Sequence, residues 1–159
     1  MENSKKKGGI IAIIIAIILA IGGLIGWLVY DKSAGKPKTD EEIATELLAE
    51  IKGYTYTVGA DRKSERLENG WDYYFSIDGY AMDENDFLTI NADGTCTVRC
   101  FTRGTREFTG TFTIGEFIRS EVIEAGRTMY YFEIIDNTTS FVTFELDKRW
   151  KTIYLSDEI

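Results

Sequence analysis

Two cysteines four residues apart, Cys96 and Cys100, are the first side chains in this 159-residue sequence that could do chemistry. Apolar and polar residues alternate around them, which predicts an extended strand. Residues four apart on a strand share a face but lie about 13 Å apart, too far for a disulfide unless the strand breaks at Val98. Two thiols without a histidine also make a poor zinc site. We therefore predict two small buried core residues, with a disulfide across a broken strand as the alternative.

Carboxylates form two further candidate groups. Residues 83–86 (DEND) place three acidic side chains in a loop, and calcium takes oxygen ligands of this kind. The loop lacks the spacing of an EF-hand, so a solvated loop is the simpler interpretation. Glu65, Glu68 and Asp72 could supply a carboxylate pair for glycoside hydrolysis, but nothing in the sequence brings them together.

The chain contains no histidine. This removes the commonest general base, the serine and cysteine triads that need an imidazole, and most zinc sites. The inferred inward faces also hold almost no ionisable residue that could activate a nucleophile or move a proton. The sequence therefore predicts a protein that is not an enzyme and that carries neither a metal nor another cofactor.

A single amphipathic helix is predicted ahead of the strands. Thr39 followed three residues later by Glu42 forms a capping box, and three acidic residues suit the positive end of the helix dipole. Apolar residues recur at every fourth position through Ile51, which gives one apolar face. Gly53 is expected to end the helix.

From Tyr54 onward the hydrophobic period changes to two, which is typical of half-buried strands. Seven alternating runs are visible, and the stretch ahead of Asp93-Gly94 brings the number to about eight; the runs are 54–58, 71–78, 95–100, 108–114, 130–134, 142–146 and 153–155. Turn signals separate them, and short connections allow antiparallel neighbours only. We predict a mainly β fold: an antiparallel up-and-down meander that forms a small barrel, closed or open.

The stretch Leu88–Val98 (LTINADGTCTV) leading into Thr109–Ile114 (TGTFTI) resembles the lipocalin-like, calycin-type β domains of bacterial membrane-anchored proteins. The resemblance covers residues 40–156 and implies a barrel that holds a ligand. The chain departs from true lipocalins in that their Gly-x-Trp signature is missing, and Gly53-Tyr54-Thr55 stands where it would be expected.

Aromatic residues make up 13% of the chain and fall largely on the inferred inward faces. They predict either a cavity for a small apolar ligand, as in eight-stranded barrels, or rings that simply fill a small barrel. The candidate lining residues are Tyr56, Trp71, Tyr73, Phe75, Phe112, Tyr130, Phe132 and Phe144.

Residues 10–30 contain no charge and follow three lysines, Lys5 to Lys7. A helix of this length is about 30 Å long, the thickness of the hydrocarbon core of a bilayer. We predict a cytoplasmic tail (1–9), a transmembrane anchor (10–30), a tether (31–38) and an extracytoplasmic domain (39–159). A cleaved signal peptide is the alternative, although this apolar run is longer than such signals have.

Small residues at every fourth position of this segment, together with Gly22 and Gly26, would let two helices approach closely in lipid. A homo-oligomer formed through the anchor helix is therefore one candidate assembly. We predict a single-pass protein of the plasma membrane, in which Lys5 to Lys7 keep the N-terminus in the cytoplasm.

The net charge of −8 limits the partners further. The first 30 residues hold three of the 18 basic residues and one of the 26 acidic ones, so the remainder carries −10. This argues against nucleic acid and anionic lipid surfaces. We expect a membrane-anchored binding or interaction module for an apolar small molecule or a membrane protein, or alternatively an accessory subunit with a dry core.

The predicted orientation can be tested by protease added to intact cells. Residues beyond Tyr30 should be digested, because the lysines next to the span favour a cytoplasmic N-terminus. An epitope tag at the C-terminus would follow the digestion by immunoblot. Protection of the tag until the cells are lysed would contradict this orientation.

Overall fold

The computed structural model describes residues 36–76, 82–101, 107–139 and 141–157. Residues Lys38–Ile159 form one compact unit. The predicted tail and anchor, and most of the predicted tether, lie outside the described residues. Within the described ranges, no helix has both the length and the apolar character needed to cross a bilayer.

Helix α1 spans Asp40–Ile51 and begins with the predicted capping box. The Glu42 backbone N–H donates to Thr39 Oγ1 at 3.2 Å, and the Thr39 N–H donates to Glu42 Oε2 at 2.8 Å. Gly53 follows with φ of 87°, a left-handed conformation that favours glycine. The buried face of the helix consists of Ala44, Leu47 and Ile51. The prediction of this helix and of both its ends is confirmed.

In the described part of the chain, eight strands follow α1, as predicted. Their bounds are β1 Tyr54–Thr57, β2 Asp72–Ser76, β3 Phe87–Ile90, β4 Thr95–Phe101, β5 Glu107–Ile123, β6 Arg127–Ile135, β7 Thr143–Asp147 and β8 Thr152–Ser156. A single 3-10 turn, Glu124–Gly126, joins β5 to β6. Strand β5 is much longer than its alternating sequence run suggested, because it continues beyond an irregularity in its pairing with β6.

The strands form one sheet in the order β1-β3-β4-β5-β6-β7-β8-β2. The prediction of an antiparallel up-and-down meander is wrong for β2. This strand does not lie between β1 and β3, which pair with each other. It pairs with β8 in parallel, with Asp72 opposite Thr152. Short turns made antiparallel neighbours of β3 to β8, but residues 58–71 are long enough to carry the chain back to the other end of the sheet. The result is a mixed, nearly closed, barrel-like sheet.

Side chains close the gap between the two ends of the sheet. The rings of Tyr56 on β1 and Tyr73 on β2 meet edge to face, 6.4 Å between centroids. The helix packs against β5 and β7. Its Glu50 accepts hydrogen bonds from Trp71 Nε1 at 2.9 Å and Lys151 Nζ at 2.7 Å, which lower the pKa of that carboxyl. Helix α1 is thereby tied to the start of β2 and to β8.

The β7–β8 turn is organised by the buried carboxylate of Asp147. It accepts from Arg127 Nε at 2.6 Å and from the backbone N–H groups of Arg149 and Trp150 at 2.8 and 3.0 Å. The Arg127 guanidinium also lies over the Trp150 ring, 3.6 Å from its centroid. One carboxylate thus fixes the turn and pairs with a cation on β6.

Replacing Asp147 with Asn should lower the free energy of unfolding by about 3 kcal/mol, because Arg127 would lose the partner that compensates its buried charge. Chemical denaturation of the full chain in detergent measures this. The matched control is Asp61→Asn, which disrupts an exposed pair whose atoms are 3.9 Å apart. That change should cost less than about 1 kcal/mol. Equal losses in the two variants would contradict the assignment.

Candidate functional site

All eight residues predicted to line a ligand cavity lie in the interior of the barrel-like sheet. Each is less than 5% exposed, and all belong to one hydrophobic cluster. The prediction of their inward orientation is confirmed. Whether they leave room for a ligand depends on how the rings pack.

The rings pack against one another. Centroid distances are 4.8 Å between Tyr73 and Phe75, 5.9 Å between Phe132 and Phe144, and 6.1 Å between Phe112 and Phe144. These are ordinary separations for aromatic side chains in contact. Phe141, which the alternation pattern did not single out, is 1% exposed and lies 5.4 Å from Phe75. Aromatic rings are therefore in contact with one another inside the barrel-like sheet, where the sequence allowed either a cavity or a filled core.

The hydroxyl groups of two interior tyrosines, Tyr56 and Tyr73, have hydrogen-bond partners within the protein. Tyr56 Oη donates to the Ile51 carbonyl at 3.3 Å and accepts from Asn69 Nδ2 at 3.0 Å. Tyr73 Oη donates to the Asp86 carbonyl at 3.3 Å. Burial raises the pKa of Tyr56 to about 12, and burial also raises that of Tyr73. These hydroxyls connect the two end strands of the sheet to neighbouring segments and remain protonated at neutral pH.

Cys96 and Cys100 are both buried on the inner face of β4, and both are free thiols. The prediction of two core residues is confirmed, and the alternative of a disulfide is wrong, because β4 continues unbroken through Val98. Loss of solvation raises the pKa of each thiol to about 12. At neutral pH they are therefore unreactive core side chains.

The acidic loop at residues 83–86 faces an arginine. Arg99 Nη1 lies 3.8 Å from Asp83 and 3.9 Å from Asp86, and Arg99 Nε donates to Glu107 at 2.7 Å. Asp86 is buried, so the interpretation of a fully solvated loop is wrong for this residue. Across the described part of the chain, no three candidate ligands gather in a way that could hold a metal ion.

Of the three carboxylates considered for glycoside hydrolysis, Glu65 and Asp72 have separate partners, and Glu68 is exposed. Thr57 Oγ1 donates to Glu65 at 3.3 Å, whereas Asp72 pairs with Arg66 at 3.0 Å. Each of these two contacts joins residues that are close together in the sequence. The barrel-like fold is compatible with a protein that is not an enzyme.

A cleft between the helix and the sheet is the feature that sequence reasoning missed. We call it the α1–β5 cleft; its volume is about 300 Å³. Its helix side is Glu41, Thr45 and Leu48, and its sheet side is Gly115, Glu116, Phe117 and Phe132. Only Phe132 belongs to the predicted cavity set. The sequence did contain one signal for this cleft: Gly115 interrupts a strand pattern, and a glycine in such a position often marks a bulge.

The bulge in β5 shapes this cleft. Ile114 pairs with Ile134 and Phe117 with Phe132, so the register shifts across Gly115 and Glu116. A Cβ added at Gly115 would lie 3.0 Å from Cβ of Glu133, closer than side chains normally come. Such irregularities bend a strand and redirect side chains. Here the bulge places Glu116 and Phe117 together at the cleft.

No protein-family model, curated protein or solved structure matches this chain. The barrel-like sheet is compatible with a lipocalin-like fold.

A thiol reagent should test the interior directly. At pH 8 a maleimide should leave Cys96 and Cys100 unmodified in the folded chain and label both in denaturant, because burial holds the thiols protonated. Mass spectrometry counts the adducts. Rapid labelling of the folded protein would contradict a packed interior.

Burial of the two thiols also predicts how stability depends on pH. The pKa values of the thiols are higher in the folded chain than in the unfolded chain, so the unfolded chain loses these protons first as the pH rises. The free energy of unfolding should therefore fall as the pH rises above about 9.

Proposed function

We propose that this protein is a single-pass, membrane-anchored extracytoplasmic interaction module that acts through the surface of its β domain. The proposal rests on the packing of aromatic side chains in the interior of the sheet. Among the residues expected to line a ligand cavity, the rings of Tyr73 and Phe75 and those of Phe132 and Phe144 are in contact. Of the two functions that the sequence left open, an accessory subunit with a dry core is better supported than a carrier of an apolar ligand.

Several large apolar side chains are exposed on the surface of the β domain. Ile118 and Val122 on β5 are 61% and 71% exposed, and Trp150 in the β7–β8 turn is 51% exposed. Interfaces are enriched in aromatic residues at their centres, surrounded by polar rims. Such side chains on a strongly acidic domain favour contact with a protein partner over contact with nucleic acid.

The apolar segment 10–30 supplies the location in this proposal. A tether of residues 31–38 would reach at most about 28 Å when fully extended. The β domain would therefore work close to the bilayer, where its partners are membrane proteins. Self-association of the anchor helix, through its small residues, remains part of the same proposal.

Phe112 offers the sharpest test of a packed interior. Phe112→Ala should lower the free energy of unfolding by about 3–5 kcal/mol, because it removes buried contacts and leaves a cavity. The parent chain in a nonionic detergent should bind no apolar fluorescent probe beyond the level of the detergent alone. Tyr130→Ala should behave in the same way.

The matched control is Ile118→Ala, which truncates an exposed side chain and should change stability by less than about 0.5 kcal/mol. A saturable probe signal in the parent, weakened by Phe112→Ala in a domain that stays folded, would replace this proposal with the ligand carrier.

A further inference from the structure

We propose that the open edge of β5, residues 117–123, pairs antiparallel with the same edge of a second copy of this chain. This goes beyond the proposed function, in which self-association is assigned to the anchor helix alone. The order of residues along the edge identifies the partner, because two such edges are complementary to each other.

The second half of β5 is paired on one side only. Strand β4 accompanies β5 as far as Thr113, whereas β6 accompanies it to Ile123. In the part of the chain that the structure describes, no backbone hydrogen bond reaches residues 117–123 from the side on which β4 has ended. Helix α1 contributes a bond to a side chain, in which the Ser120 hydroxyl donates to Asp40. Such an open edge presents backbone N–H and C=O groups to any strand that approaches it.

Apolar side chains of this edge face water. Ile118 is 61% exposed and Val122 is 71% exposed. The register with β6 shifts by one residue between Phe117 and Arg119, and Ile118 is the extra residue there. Both exposed residues are β-branched, a type that packs well in sheets. Exposed apolar residues on an open edge favour pairing with another chain.

A two-fold axis at Ser120 would bring matching side chains together. In that arrangement Arg119 faces Glu121 of the second copy, and Ile118 faces Val122 of the second copy. Facing residues on antiparallel strands have Cβ atoms about 4.5–5.5 Å apart, which is close enough for their side chains to interact. Each pair forms twice, as the symmetry of an isologous dimer requires.

Charge favours this register over its neighbours. An axis at Glu121 would place two glutamates opposite each other, and an axis at Arg119 would place two arginines opposite each other, which is destabilising. Within one chain, Arg119 Nη1 already lies 3.1 Å from Glu121 Oε2. In the dimer, positive and negative charges would alternate across the axis. The domain beyond residue 30 carries −10, but charges more than about 8 Å apart are largely screened at physiological salt.

Cysteine crosslinking tests the register. Full chains with Ile118→Cys and with Val122→Cys, each with its own epitope tag, are produced together, and their membranes are oxidised with copper phenanthroline. The two variants should form a mixed disulfide, because facing residues have Cα atoms about 4.5–5.5 Å apart. Either variant alone should not crosslink, since its two cysteines would lie about 13 Å apart along the strands. The native thiols are buried and give no background.

Immunoblots of nonreducing gels measure the crosslinked dimer. Equal crosslinking in the single and mixed samples, as contact through the anchor helix alone would give, would overturn the proposal. Absence of the mixed disulfide would overturn it as well.

Charge reversal provides a second test. Arg119→Glu and Glu121→Arg should each raise the dissociation constant of the dimer about tenfold, because two facing pairs become repulsive. The double variant should restore association, since opposite charges face each other again. Analytical ultracentrifugation of the full chain in detergent measures these constants. The control is Lys63→Glu, which reverses a charge on an exposed residue away from the edge and should leave association unchanged.

Thermal unfolding of each variant shows whether the fold is intact. A folded double variant that associates no better than the single variants would overturn the proposal, as would an equal loss in the Lys63 control. The function proposed above is tested by the Phe112 variant and the apolar probe, so its failure and the failure of this inference are distinguishable.

Discussion

The contact between Tyr56 and Tyr73 holds together two strands that stand at opposite ends of the sheet. Backbone hydrogen bonds connect β1 to β2 only through the six strands that stand between them in the sheet. Aromatic side chains bridge the gap between these two end strands. The hydroxyl of Tyr56 extends this bridge to Ile51 at the end of α1 and to Asn69 in the β1–β2 connection. The Tyr56 ring therefore joins the helix, the gap between β1 and β2, and the hydrophobic core.

Much of this architecture follows from local sequence. The capping box at Thr39, the left-handed glycine at 53 and the alternation that buries Cys96, Val98 and Cys100 are all determined by neighbouring residues. The pairing of β2 with β8 is different. Alternation specifies which face of a strand is buried, but it does not identify the neighbour of a strand that follows a long connection.

The candidate sites likewise combine features that local sequence determines with features that depend on contacts between distant strands. Alternation correctly placed rings such as Phe112 and Phe144 inside, but it could not decide between a cavity and a filled core, because that depends on how rings from distant strands interlock. The α1–β5 cleft was not predicted because it requires the bulge at Gly115 and the helix to meet in space. Asp86 and Arg99 likewise approach only through the β3–β4 pairing.

The parallel pairing of β2 with β8 has a consequence for biosynthesis. Asp72 and its neighbours find their partner strand only when residues near Thr152 have been made. A ribosome adds roughly 5–20 residues per second, so β2 waits several seconds for β8. Contacts so distant along the chain also slow folding itself. The sheet can therefore be completed only after β8 has been synthesised.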